Sequence, residues 1–306
     1  MHATTTPPTI STLGEALVKD VLASLSSKEF RIGLMRNNKK ILFAFCGFLA
    51  GALGALAAEL VPAFGENVAG VVGHVAAWSA IFAASIAVGL TAAGEIYSRR
   101  PFSAASYRAS LLAGAGAGAM AGAVAQAVYF VRSGDGFLQD VLFRSFCWAL
   151  MGAVVGWRLS SSIPNLGAKR GLIAGAIGGF VGGLGFVAVC LFLPDLLARA
   201  VGVGFLGLAL GLAVVAIEEM TREARLEVIW GPKESTSVSL GAKPVLIGGG
   251  DDHVYISGVP EHALSVELTS GKVVCTEKSS GKRSDLKNGS RIKVGRVELV
   301  VRTASS

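Results

Sequence analysis

Residues 278–283 read Lys-Ser-Ser-Gly-Lys-Arg. Lys278, Ser279, Ser280, Lys282 and Arg283 set cations and hydroxyls around a glycine, a group able to cup an anion through charge-assisted hydrogen bonds. The bland alternative is a solvated loop. Asp251 and Asp252 in "GGGDDH" invite a calcium reading, yet two adjacent acids lack the spaced oxygens of a calcium loop and fit a turn. Gly202, Gly204 and Gly207 in "GVGFLG" match the dinucleotide fingerprint letter for letter. That fingerprint needs a strand before it, a helix after it and an acid about twenty residues on, whereas this one lies inside an apolar run and points to packing. Cys46, Cys147, Cys190 and Cys275 show no CxxC and no metal-like spacing, so reduced structural thiols are expected. With no zinc-helix motif, nucleophile elbow or phosphate loop, the reading is no enzyme, no cofactor and no metal.

The elements that must carry these groups are of two kinds. The chain of 306 residues is 52% hydrophobic and only 16% charged, and the apolar excess falls in its first two thirds, which marks a membrane protein with a soluble appendage. Six apolar stretches, at about 41–61, 69–93, 109–131, 137–158, 171–193 and 197–217, are each long enough to span a bilayer. Arg31, Arg36, Lys39, Lys40, Arg99, Arg100, Arg108, Arg158, Lys169, Arg170, Arg222 and Arg225 flank one side, against Arg132, Arg144 and Arg199 on the other. The excess places both termini in the cytoplasm. It also gives the net charge of +7 a topological meaning, so no nucleic-acid partner is expected. Thr12 and Glu15 fit a capping box, followed by Leu13, Leu17, Val21, Leu22 and Leu25 at helical spacing. This amphipathic helix belongs to a cytosolic segment, 1–40, and is expected to pack on the cytosolic ends of the chain's own helices, with docking on a partner or on the membrane surface as the alternatives.

The odd-numbered spans each begin after a basic residue and run through Gly/Ala ladders, as three Gly-rich hairpins would. Gly114, Gly118 and Gly122 recur every four residues, as do Gly171, Gly175, Gly179 and Gly183, and Gly152 with Gly156 and Gly207 with Gly211 extend the plan. Such glycine-zipper stripes let helix backbones approach where lipid supplies no hydrophobic drive. Glu59, Glu95 and Glu218 fall at span ends, and His74 and Gln126 lie deeper, on different hairpins. An ionisable residue at that depth is a functional hypothesis by default. Neither residue has a charged sequence neighbour suited to an ion path, so Gln126 is expected to bond an adjacent helix.

After "EEMTREAR" the period changes to two, as in Leu226, Val228 and Trp230, with turns at "GPKES", "GGGDD", "TSGK" and "KNGS". About eight short strands and a β-sandwich are expected over 221–306. "SLGAKPVLIGG" (239–249), "HVYI", "VPEHALSVEL" (259–268) and "LKNGSRIKVGRVELVV" (286–301) resemble the forkhead-associated (FHA) domain: its opening strands ending in Ile-Gly-Arg, its Ser-x-x-His stretch and its closing Leu-x-x-Gly pattern. The layout of membrane hairpins, charged junction and this domain also resembles a group of bacterial membrane proteins with a C-terminal FHA domain.

That resemblance implies phosphothreonine-peptide binding, with Gly248, His262 and Gly295 as scaffold positions. The family's arginine position is Gly249 here, its serine position is Val259, and "SSGKRS" is shortened where the family places an Asn-Gly. The expected protein is therefore an α-helical membrane bundle of six spans (41–220) followed by an all-β FHA-like sandwich (221–306). It would sit in a plasma (inner) membrane as a signalling adaptor that recruits a cytosolic protein, without strict dependence on phosphothreonine, through Gly248, Gly249, His262, Lys278, Ser279, Ser280, Lys282 and Arg283. A small transporter or channel regulated by its cytosolic domain is the alternative.

Overall fold

The computed structural model describes residues 38–131, 136–232 and 234–303, and the expected N-terminal amphipathic helix lies outside them. Six helices follow in order: α1 (Lys39–Ala58), α2 (Val68–Ser98), α3 (Ala104–Val131), α4 (Phe137–Ser160), α5 (Ala168–Cys190) and α6 (Asp195–Thr221). All six are long and apolar enough to cross a membrane, so by length and composition the chain is a multi-pass membrane protein. The chain starts and stops the first two with side chains. Asn38 Oδ1 accepts from Lys40 N at 3.1 Å, and Asn67 Oδ1 accepts from Gly70 N at 2.7 Å. Arg99 ends α2 in the left-handed region at φ 56°, where its N–H and that of Arg100 close on Ile96 O and Glu95 O.

The helices form a closed ring in which α1 also touches α6, while α2, α4 and α6 meet at the centre. The closest seams run between hairpins rather than within them. A Cβ on Gly114, Gly118 or Gly122 of α3 would lie 2.3–2.9 Å from Ala83 O, Ser79 O and Val75 O of α2. On α5, Gly175 and Gly179 would meet Gly152 O at 2.0 Å and Trp148 O at 2.3 Å of α4. On α1, Gly47 and Gly51 would meet Gly207 O at 2.2 Å and Val203 O at 2.3 Å of α6. Each odd helix thus lays its glycine stripe on the even helix before it around the ring. Gly202, Gly204 and Gly207 all lie inside α6 and face Phe186, Phe48 and Gly47, so the dinucleotide-like string is a packing surface. The long apolar side chains not used in the seams point outward, such as Leu53 at 56% and Leu112 at 69% exposed.

Nine strands follow: β1 (Ala224–Gly231), β2 (Glu234–Leu240), β3 (Val245–Gly248), β4 (Val254–Tyr255), β5 (Leu264–Thr269), β6 (Lys272–Glu277), β7 (Arg283–Leu286), β8 (Arg291–Val294) and β9 (Val297–Thr303). The count exceeds the expected eight, and β4, a two-residue strand parallel to β3, is too short to show a period. One sheet has the order β2-β1-β9-β8 and the other β4-β3-β5-β6-β7. Alternation sends Leu226, Val228, Leu299 and Val301 from the first sheet, and Val245, Ile247, Val266 and Val273 from the second, into one shared core.

The β domain is seated on the bundle through β2 and the β2–β3 turn. Glu218, buried in α6, takes an ion pair from Lys39 and a hydrogen bond from Ser239 Oγ at 2.8 Å. Ser237 N donates to Tyr97 Oη at 2.8 Å, and Arg99 stacks over Trp230 at 4.2 Å while pairing with Glu234. Asn165, left-handed at φ 59° between α4 and α5, donates to Ser239 O and Lys243 O and accepts from Lys243 N, each at 3.1 Å.

The seams make a direct test. Gly179→Leu drives a branched side chain into the Trp148 carbonyl, whereas Gly116→Leu, at an exposed position with nothing within 4 Å, meets open space. The expected outcome in detergent is a large loss of thermal stability for the first and a midpoint within a few degrees of wild type for the second. Equal midpoints would show that the α4–α5 seam carries no packing energy.

Candidate functional site

Two concave sites, one in each domain, hold residues singled out by the sequence. In the β domain, the β4–β5 connection, the β6–β7 turn and the β8–β9 turn enclose a groove of about 720 Å³ lined by Lys278, Ser279, Lys282 and Lys293 with Glu261 and Glu277. Leu264, Leu286, Ile292 and Val294 supply its apolar part. The β6–β7 turn is tight. Gly281 sits at φ 63°, Gly281 N donates to Glu277 O at 2.8 Å, and Glu277 N donates to Lys282 O at 3.0 Å. Its hydroxyls are already engaged: Ser280 Oγ donates to Glu277 Oε2 at 2.7 Å and accepts from Lys282 N at 3.2 Å. Those bonds from Ser280 and then Ser279, with Lys282 nearby, hold the Glu277 carboxyl below its ordinary range. Lys278 anchors the turn to the neighbouring loop, its N donating to Ala263 O at 3.0 Å and its Nζ to Glu261 O at 3.3 Å. Arg283 begins β7 and reaches back toward Glu267 at 3.9 Å rather than into the groove.

Gly248, Gly249 and His262 form a separate cluster around Asp252, whose side chain is fully buried. One oxygen accepts from His262 N at 2.7 Å and the other is bonded to His262 Nδ1. His262 stands at φ 55°, a backbone region that costs an L-residue roughly 1–2 kcal/mol, and the two hydrogen bonds to Asp252 offset that cost. Gly249 N donates to Pro260 O at 3.1 Å, and a Cβ there would lie 2.5 Å from Val259 O. Gly249 has no room for a side chain while the loop keeps this shape. Asp252 is a loop clamp, and among the described residues no group of three His, Cys, Asp or Glu could hold a metal.

The second site lies in the bundle, at the end remote from the β domain. A cavity of about 430 Å³ is bounded by all six helices and by the residues just after α1. It brings together His74 and Gln126, which the sequence left on separate hairpins, with Glu59, Arg199, Asp140, Arg144 and the rings of Trp78 and Trp148. Glu59 pairs with Arg199 and Asp140 with Arg144, both at 2.9 Å, and His74 Nδ1 lies 3.0 Å from Pro62 O. Sequence reasoning missed this constellation, although one signal was there: Arg144 and Arg199 are two of the three basic residues flanking the far side. No protein-family model, no curated protein and no solved structure matches this chain.

His253, between the Asp252 clamp and β4, accepts from Leu246 N at 3.0 Å through Nδ1, a bond only the neutral ring can make. Burial, and then Arg100 of the bundle, lower its pKa below the ordinary 6.5. The unfolded imidazole therefore binds a proton near 6.5 while the folded one binds it only at lower pH. In that window the unfolded state holds more protons, so stability falls as pH drops below about 6.5. The thermal midpoint of the full chain should decline between pH 7.5 and 5.5, and His253→Asn, which keeps an acceptor without a titrating ring, should flatten that decline. An unchanged slope would assign the acid sensitivity to other groups.

Proposed function

We propose that the protein is a membrane-embedded adaptor whose C-terminal domain, an FHA-like β-sandwich, recruits a protein partner in the cytoplasm without strict dependence on phosphothreonine. The observation that carries this reading is the composition of the 720 Å³ groove. A phosphate would have to displace the Glu277 carboxylate that already holds the Ser280 hydroxyl, and Glu261 beside it repels an anion. Lysines, carboxylates and apolar side chains side by side suit instead a protein segment of mixed character. The orientation rests on the ten described basic residues Lys39, Lys40, Arg99, Arg100, Arg108, Arg158, Lys169, Arg170, Arg222 and Arg225, all toward the end that carries the β domain. That bias supports cytoplasmic termini, and a plasma (inner) membrane is part of the same proposal. Against the transporter reading stands the apolar filling of the bundle centre by Phe82, Ile86, Leu90, Leu206 and Leu210, all fully buried, where a path would need polar lining.

Photo-crosslinking from a probe placed at Lys293 should capture a partner with the wild-type chain, lose it with the Lys278→Glu/Lys282→Glu variant, and retain it after phosphatase treatment of the lysate. Calorimetric titration with a phosphothreonine library and its unphosphorylated twin should give affinities within about tenfold, less than one charged hydrogen bond per contact would yield. Capture abolished by phosphatase would return the domain to strict phosphothreonine recognition. A reporter active only outside the membrane, fused after residue 306, should be silent; activity there would overturn the orientation.

A further inference from the structure

We propose that the cavity at the end of the bundle remote from the β domain binds a zwitterionic amphiphile, a molecule with an ammonium and an anionic group beside an apolar body. Its volume of about 430 Å³ falls within the range of small-molecule sites. The deep part is aromatic: Trp78 and Trp148 meet Phe82 at 4.9 and 5.3 Å, and Trp148 meets Phe186 at 6.0 Å. The mouth carries charges of both signs, Glu59 against Arg199 and Asp140 against Arg144. A ligand of one net sign would meet as much repulsion as attraction there, whereas a zwitterion can set its ammonium on the carboxylates and nearby rings and its anion on a guanidinium. A second observation points inward. Ser79 lines the cavity at 1% exposure, and its hydroxyl has no hydrogen-bond partner among the described residues. Buried polar groups in native structures are normally paired, and a polar atom of a bound molecule would pair this one. Below Phe82 the centre is filled by buried Ile86, Leu90, Leu206 and Leu210, so the cavity is a dead end that ligand enters and leaves by one mouth.

The same chemistry could come from a zwitterionic phospholipid or from a water-soluble zwitterion, and two arms separate them. The full chain in a nonionic maltoside detergent is mixed with equimolar phosphatidylethanolamine and phosphatidylglycerol for native mass spectrometry, and titrated calorimetrically with the dipeptide leucyl-phenylalanine. The expected result is one saturable equivalent in one arm, phosphatidylethanolamine over phosphatidylglycerol if the source is lipid. Arg199→Gln should weaken it by about tenfold or more and Ser79→Ala by about fivefold, the loss of a charged and of a neutral hydrogen bond. Ser79→Ala adds no bulk and decides alone if Arg199→Gln does not fold. Absence of saturable binding in both arms, equal uptake of phosphatidylglycerol, or binding indifferent to Ser79→Ala would overturn the proposal.

Discussion

In lipid the helices gain nothing by hiding apolar side chains from one another, so the bundle is held by how closely its backbones approach. Carbonyls of α2, α4 and α6 sit where a Cβ of the facing glycine would be, and that single condition, met at three seams, closes the ring. Everything else follows from the closure. Because the glycine stripes occupy the sides of the even helices, their large side chains are left to fill the centre, and Phe82, Met151 and Leu206 become fully buried. Because the centre is filled on the β-domain side of Phe82, the cavity that all six helices share lies at the opposite end.

The same closure sets α6 beside α1, and this puts Lys39 within reach of Glu218. A carboxylate buried near a helix end is costly unless charge and hydrogen bonds compensate it. Here the compensation comes from two different parts of the chain, the ammonium from the start of α1 and the hydroxyl of Ser239 from β2. The bundle and the β domain are thus joined by a group that neither could bury alone. Asn165 and Tyr97 add bonds to the backbone of the same strand and turn, and they fix β2 by its main chain, which constrains position without dictating its side chains.

Much of this was legible in the residues. Six apolar runs and the four-residue recurrence of glycine predicted the helices and their contact faces, because a missing side chain acts the same way in any helix it occupies. The partner of each stripe was not legible. Hairpin connectivity places α3 next to α4, yet Gly118 packs on Ser79 of α2, and only the closed ring reveals it. The membrane cavity was hidden for a related reason: Glu59 and Arg199 are 140 positions apart in the sequence, and each reads alone as an ordinary residue at a span end. In the β domain, alternation gave Leu226 and Val228 as core-facing residues of β1, while the clamp of Asp252 on His262 looked like a turn because nothing in two adjacent acids says which one is buried.

The β6–β7 turn shows why residue types at one place do not by themselves make a binding site. Lys278, Ser279, Ser280 and Lys282 are the donors a phosphate would want, and the chain does bring three of them to the groove. It brings Glu277 with them, because the last residue of β6 must flank the turn that its own hydroxyls close. The carboxylate takes the Ser280 hydroxyl at 2.7 Å, satisfies the donor without any ligand, and leaves the lysines as flexible charges on the rim. An anion arriving here would exchange a bond already made for an equivalent one while meeting two carboxylates. A segment that carries its own ammonium or amide groups meets no such penalty, since Glu261 and Glu277 accept from it as the lysines donate. In the proposed recruiting role, discrimination would therefore be set less by the basic residues that first draw notice than by the acidic ones the turn geometry places between them.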